Sequence, residues 1–171
     1  MSSKDEADQA RSGIDPVTVR DEYIELMRRA KRMQGISLRD LADRTGIGKS
    51  RLGLLLHENA SQRPEINLIE TKIIFDALDI DVFYAVICVE GFGNIDVLDS
   101  PRHNSVISLL RIIYRWLPLE LVQTMAEYDH IDEADVRPEW AVGLQRAFVR
   151  RVVGEISRRA AERLAGWDRD L

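Results

Sequence analysis

The chain has 171 residues, 45% of them hydrophobic, a net charge of −5 and a single cysteine. That apolar content supports one moderate domain or two small ones and excludes a globally disordered chain. Cys88 has no partner for an intrachain disulfide and sits in an apolar run, so a buried, inert thiol is expected.

No apolar run reaches the roughly 20 residues a membrane span needs. No basic-then-apolar leader opens the chain, so a cytoplasmic protein with no membrane partner is expected. Glycine and proline are sparse and strand-like alternation is absent, which predicts an all-α fold. The charge is uneven. Residues 16–64 hold ten Lys/Arg against six Asp/Glu, residues 65–101 hold one against eight, and residues 102–171 hold eleven of each. Phosphate contact depends on local charge, so the basic first segment outweighs the acidic total.

Residues 1–14 are polar and read as a disordered tail. Asp15 and Pro16 open the first helix, as N-cap and first helical residue. Val19, Tyr23, Leu26, Met27, Ala30 and Met33 recur at helical spacing, and Gly35 ends the helix. Arg28, Arg29, Lys31 and Arg32 cluster in its second half, either as a solvated face that complements the helix dipole or as a phosphate-contacting flank.

Two short helices follow, expected over 37–44 and 48–57, with the turn at Thr45, Gly46 and Ile47. Ser37 is a good N-cap and Asp40 stands three residues on, the spacing of a capping box. Gly46 supplies the positive φ needed between the helices. Leu38, Leu41 and Ala42 form one apolar face, and Leu52, Leu55 and Leu56 form the other. A pair this short cannot bury both faces alone, so the flanking helices must complete the core.

The run SLRDLADRTGIGKSRL (37–52) resembles the helix-turn-helix of the XRE family, the lambda-repressor-like regulators. The resemblance is carried by Ser37, Leu41, Ala42, Thr45, Gly46, Ile47, Ser50, Leu52 and Leu55, and extends weakly to about residue 86. It implies a five-helix DNA-binding domain over 15–90, with double-stranded DNA as partner and the second motif helix in the major groove. A helix fits that groove.

With Leu52, Leu55 and Leu56 inward, Ser50, Leu54 and His57 point outward, and Gly53 and Arg51 flank them. The base-facing candidates are Lys49, Ser50, Arg51, Gly53 and Leu54. Lys49 or Arg51 would donate to guanine and Leu54 would meet a thymine methyl. Gly53 weakens the helix, which suits close backbone approach to DNA or is simply tolerated. The phosphate-contacting candidates are Ser37 at a helix N-terminus, Arg39, Arg44 and Arg63, which would set orientation rather than sequence. Three positions depart from the family pattern. Leu38 and Leu56 stand where glutamine and glutamate are common, and Gly48 replaces a Ser/Thr cap.

Beyond the motif, a polar loop leads to a helix over 66–78, and Asp81 caps a fifth helix over 82–89. Residues 91–101, GFGNIDVLDSP, read as a linker whose Phe92, Ile95, Val97 and Leu98 dock onto something. Residues 102–171 are expected to form a C-terminal helical hairpin or bundle. Ser100 and Pro101 open its first helix, with a stripe at Val106, Leu109, Leu110, Ile113 and Leu117, and Pro118 should kink or split it.

A last helix from Pro138 to about Leu164 carries Trp140, Leu144, Phe148, Val152, Ile156, Ala160 and Leu164. Arg146, Arg150, Arg151, Arg158, Arg159 and Arg163 make either a solvated face, balanced by Glu155 and Glu162, or a second basic strip. Two such helices bury too little alone, so a homodimer through 102–165 is expected, with folding back within one chain as the alternative.

The functional expectation is a sequence-specific DNA-binding transcriptional regulator, a repressor acting as a dimer on a near-palindromic operator. The alternative is an antitoxin or anti-regulator whose C-terminal helices bind a partner protein. His57, His103 and His130 are scattered, and neither a metal-spaced cluster nor a phosphate loop is present. Neither enzymatic activity nor a cofactor is expected.

Overall fold

The computed structural model describes residues 16–130, 132 and 135–167. The expected tail (1–14) and the Asp15 cap lie outside them. The described residues are all-helical, with no strand among them, and comprise seven α-helices: α1 (Pro16–Met33), α2 (Leu38–Thr45), α3 (Lys49–Leu55), α4 (Leu68–Ala77), α5 (Val82–Val86), α6 (Pro101–Met125) and α7 (Ala141–Trp167). They divide into two compact units, one ending at Glu120 and the other beginning at Leu121.

Local signals set the helix ends. After α1 the Ile36 N–H donates to Lys31 O (3.1 Å) and the Gly35 N–H to Arg32 O (3.1 Å). Gly35 has φ +64°, which makes this a Schellman motif. Asp79, at φ +52°, plays the same part after α4. There the Ile80 N–H reaches Phe75 O at 2.8 Å and the Asp79 N–H reaches Asp76 O at 3.2 Å. Helix α4 starts with a capping box between Asn67 and Glu70, and Asp81 caps α5 by accepting from the Tyr84 N–H.

The core of the first unit is one apolar cluster. Ile24 and Met27 of α1 meet Leu41 of α2, Leu52 and Leu55 of α3, and Ile74 and Phe75 of α4, all buried. Leu56 is buried too, as its inward assignment required. A leucine-to-alanine change at such a site costs about 2–5 kcal/mol, because transfer and cavity terms add.

Two apolar residues at helix ends lie outside the core, and one of them, Met33, belongs to the apolar face expected of the first helix. Met33 is 78% exposed and Leu68 83%. Met33 is the last residue of α1 and Leu68 the first of α4, so each projects past the end of the packed face. Helix α5 gives way after Val86 to a π-turn over Ile87–Gly91, in which Ile87, Cys88 and Val89 are buried in succession.

The segment expected as a linker, 91–101, is part of the first unit. Ile95–Asp99 forms a 3-10 turn with Ile95 and Leu98 buried. The Ile95 N–H donates to Glu22 Oε2 (3.0 Å), and Asp99 pairs with Arg29 (2.8 Å). Helix α6 follows with Ile107 buried in the same core and Leu110 against it. The boundary at Glu120/Leu121 therefore falls inside α6 rather than at 91–101. The glycines in that segment shape a turn, but its apolar residues dock it. Helix α6 is not split and runs unbroken through Pro118.

The second unit contains the end of α6, the Pro138–Trp140 turn and α7. Of the stripe expected on the last helix, Trp140, which lies in the turn before α7, and Leu144, Phe148, Ile156 and Leu164 on α7 are exposed.

Candidate functional site

The candidate site is the outward surface of the α2–turn–α3 pair, and its inward surface explains why it is rigid. Gly46 sits at φ +68° and its N–H reaches back to Ala42 O. The Thr45 hydroxyl donates to Leu41 O (2.7 Å) and accepts from the Ile47 N–H (3.2 Å). The turn is thus closed on both sides, and Leu52 and Leu55 lock α3 onto the core.

At the α2 N-terminus the capping box forms as its spacing requires. The Asp40 N–H donates to Ser37 Oγ (3.1 Å), and the Ser37 N–H donates to Asp40 Oδ2 (3.3 Å). The Ser37 hydroxyl also donates to that carboxylate at 2.7 Å. These bonds from Ser37 hold the Asp40 carboxyl below its usual range. Ser37 is therefore occupied within the protein, and a carboxylate already faces the N–H groups that a phosphate would seek. Arg39, two residues on, is exposed and has no partner among the described residues.

On α3 the candidates separate into two groups. Lys49, Ser50 and Leu54 are exposed, and Gly53 lies half-exposed between them. A methyl group built on Gly53 would meet nothing within 4 Å. Lys49 has no ion-pair partner among the described residues, and Leu54 is 50% exposed. Gly48 gives α3 no side-chain cap bond. These residues form one small surface of a cation, a hydroxyl, bare backbone and an apolar side chain.

Arg51 belongs elsewhere. Its Nε donates to Glu70 Oε1 (2.9 Å), and its Nη2 donates to Glu70 Oε2 (3.0 Å) and Glu65 O (2.7 Å). This fork ties α3 to the start of α4. The Arg51 bond is the main reason the Glu70 carboxyl is held below its usual range. Arg63 is more deeply committed, with its side chain only 5% exposed. It donates to His57 O (2.8 Å), Glu58 O (3.3 Å) and Asp21 Oδ1 (3.2 Å), pinning the loop after α3 to α1. Arg44 is exposed and makes one long bond to Ala77 O (3.4 Å).

Of the basic cluster on α1, Arg28 and Arg32 pair with Glu25 and Arg29 with Asp99, which leaves Lys31 without a partner among the described residues. On α7, Glu155 takes Arg158 (2.6 Å) and Arg159 (2.7 Å). Those two bonds push the Glu155 carboxyl down to about 2.

Glu70 and Asp21 are the residues sequence reasoning missed. The Asn67–Glu70 spacing marks a capping box, but nothing local links Glu70 to Arg51, 19 residues earlier.

An open apolar cleft of about 700 Å³ lies between α1, α4 and α5, lined by Val19, Tyr23, Ile66, Phe75 and Val82 among others. Among the described residues no cluster of three His, Cys, Asp or Glu is placed to hold a metal. No described helix is long and apolar enough to cross a membrane. No family model, curated protein or solved structure matches the chain.

Proposed function

We propose that the chain is a sequence-specific DNA-binding transcriptional regulator of the XRE type, acting as a dimeric repressor on a near-palindromic operator. The observation that carries this reading is the α3 surface. Lys49 and Ser50 at the N-terminal end of a short helix, and Leu54 near its C-terminal end, are exposed, while its other face is buried. A helix presented in this way suits the major groove, where its first residues reach base edges. Lys49 donates to guanine, Leu54 packs on a thymine methyl, and Gly53 lets the backbone come close. Arg39 and Arg44 serve as phosphate contacts. Arg51 and Arg63 hold the reading helix in place from within. Blocking polymerase by occupancy is the mechanism such a dimer provides.

The test is selection from random duplex DNA followed by gel shifts on the recovered site. Lys49→Ala should weaken binding and relax preference at about one base pair, worth roughly 1–3 kcal/mol of discrimination, with thermal stability unchanged. Arg51→Ala should lower stability and leave base preference intact. Absence of any enriched site at low salt rejects the reading.

A second reading is an antitoxin or anti-regulator that binds a protein. It is favoured by the exposed apolar residues of α6 and α7, such as Trp116 and Phe148. A stable complex with a different protein that forms without DNA and masks those residues would select it.

A further inference from the structure

We infer that the outward face of α6 between Pro101 and Glu120 is an interface between two copies of this chain, the two helices lying antiparallel about a two-fold axis with Arg102 of each copy against Glu120 of the other. This deepens the function proposed above, and rests on that reading for the use of the dimer alone.

The face lies wholly within the first unit. Contacts fix the inner side of α6. Ile107 is buried in the core with Leu110 against it. Asn104 Nδ2 donates to Leu98 O (2.8 Å), and Arg115 pairs with Asp81. Turned away from these contacts are Val106, Leu109, Ile112, Trp116, Leu117 and Leu119, all exposed. At roughly 100° per residue they span an arc of about 160°, centred roughly opposite Ile107. An ordinary surface helix turns its apolar stripe to the core and its polar side to water. Here two polar ties point inward and a wide apolar arc points outward.

Charge decides what covers that arc. Between Pro101 and Glu120 it carries two charged residues, Arg102 and Glu120, while Arg111 and Arg115 lie on the inner side. Arg102 and Glu120 are exposed, and neither is in an ion pair among the described residues. They stand about five full turns apart, about 27 Å along the axis, and so share one azimuth. One end of the arc is positive and the other negative.

A second copy laid antiparallel brings each positive end to a negative one, and the pairing occurs twice, as in any two-fold contact. Parallel copies would set like charge against like at both ends, which repulsion disfavours. The antiparallel register also matches the apolar residues. Val106 of one copy falls against Trp116 of the other, and Leu109 against Ile113 beside the axis.

The area fits a modest dimer. Six exposed apolar side chains at on the order of 100 Å² each offer roughly 600 Å² per copy. Two copies bury roughly 1,200 Å², the lower end for specific, stable interfaces.

The test is the mass of the full chain by light scattering at high micromolar concentration, without DNA. The expected mass is twice the 19.6 kDa chain. A single-chain mass leaves this face to a different protein and overturns the inference, while the α3 surface is still judged separately by DNA selection. Sedimentation then measures the dimer constant. Leu109→Glu should weaken it about tenfold or more, because an unpaired charge enters the apolar seam. Arg102→Glu and Glu120→Arg should each weaken it about tenfold, because like charges then meet at both ends. The double variant should return to within about threefold of the parent. All three positions are exposed, so folding is retained, with helicity by circular dichroism as the check. A dimer unmoved by Leu109→Glu lies on another surface and overturns the inference. So does a single charge variant that tightens the dimer, or a double variant no tighter than the weaker single.

Discussion

Replacing Gly53 by alanine separates the stability of α3 from its use. Gly53 is a helical residue of a seven-residue helix, and a Cβ there enters open space. A glycine inside a helix costs about 0.5–1 kcal/mol against alanine, through the backbone freedom it loses on folding. No clash offsets the gain, so Gly53→Ala should stabilise the chain by about that amount, a rise of about 2–4 °C per kcal/mol for a chain of this size. Binding should move the other way. If DNA backbone or bases approach Gly53, the added methyl pushes them out, and affinity for the selected site should fall about tenfold or more, the loss of roughly 1.4 kcal/mol. Thermal melting and gel shifts on one preparation give both numbers. Destabilisation would refute the open-space reasoning. Stabilisation with unchanged affinity would take Gly53 out of the interface.

Other substitutions probe the framework. Arg63→Ala should cost about 2 kcal/mol in urea unfolding, the scale of a lost charge-assisted hydrogen-bond set; the partner Asp21 keeps some access to water, which limits the loss. If stability is unchanged and the salt dependence of DNA binding falls instead, Arg63 is a phosphate contact after all. Glu70→Gln tests the α3–α4 tie. The Glu70 carboxyl is held below its ordinary value of 4.5 chiefly by the Arg51 bond. Its stabilisation is thus complete above pH 4.5 and lost as pH falls through the lowered value. The variant should melt lower at pH 7 and lose part of the acid-limb slope; an unchanged slope would show the tie contributes nothing. Burial raises the Cys88 thiol from 9.0 to about 11. The protonated form is favoured in the folded state, so stability is full below pH 9 and declines toward pH 11. Cys88→Ala should flatten that alkaline decline, and in the parent the thiol should resist a maleimide at pH 8 until the protein unfolds. Rapid labelling of the folded chain would contradict its burial.

Residues 35–56 show what was legible locally. Ser37 and Asp40 stand three apart, so their capping box is written in adjacent letters. Gly35 and Gly46 mark positive φ because other residues resist it. Leu52, Leu55 and Leu56 lie on one face by helical geometry alone. Each of these follows from interactions within one turn of chain, and the all-helical class follows from their sum.

Other features were set by residues far along the chain. Arg51 and Arg63 looked like free cations beside a reading surface. Glu70 and Asp21, 19 and 42 residues away, captured them. Residues 91–101 had a linker's composition, yet Ile95 and Leu98 are buried because α1 and the turn after α5 offered a surface to cover. Met33 kept the helical period of its face and still lies outside, since a period fixes a face but not where its packing partner ends. The short-range spacing of caps, glycines and leucines determined the helices and their inward faces. Which cations remain free to meet a partner, and where the first unit stops, depended on charges and apolar surfaces brought together only by folding.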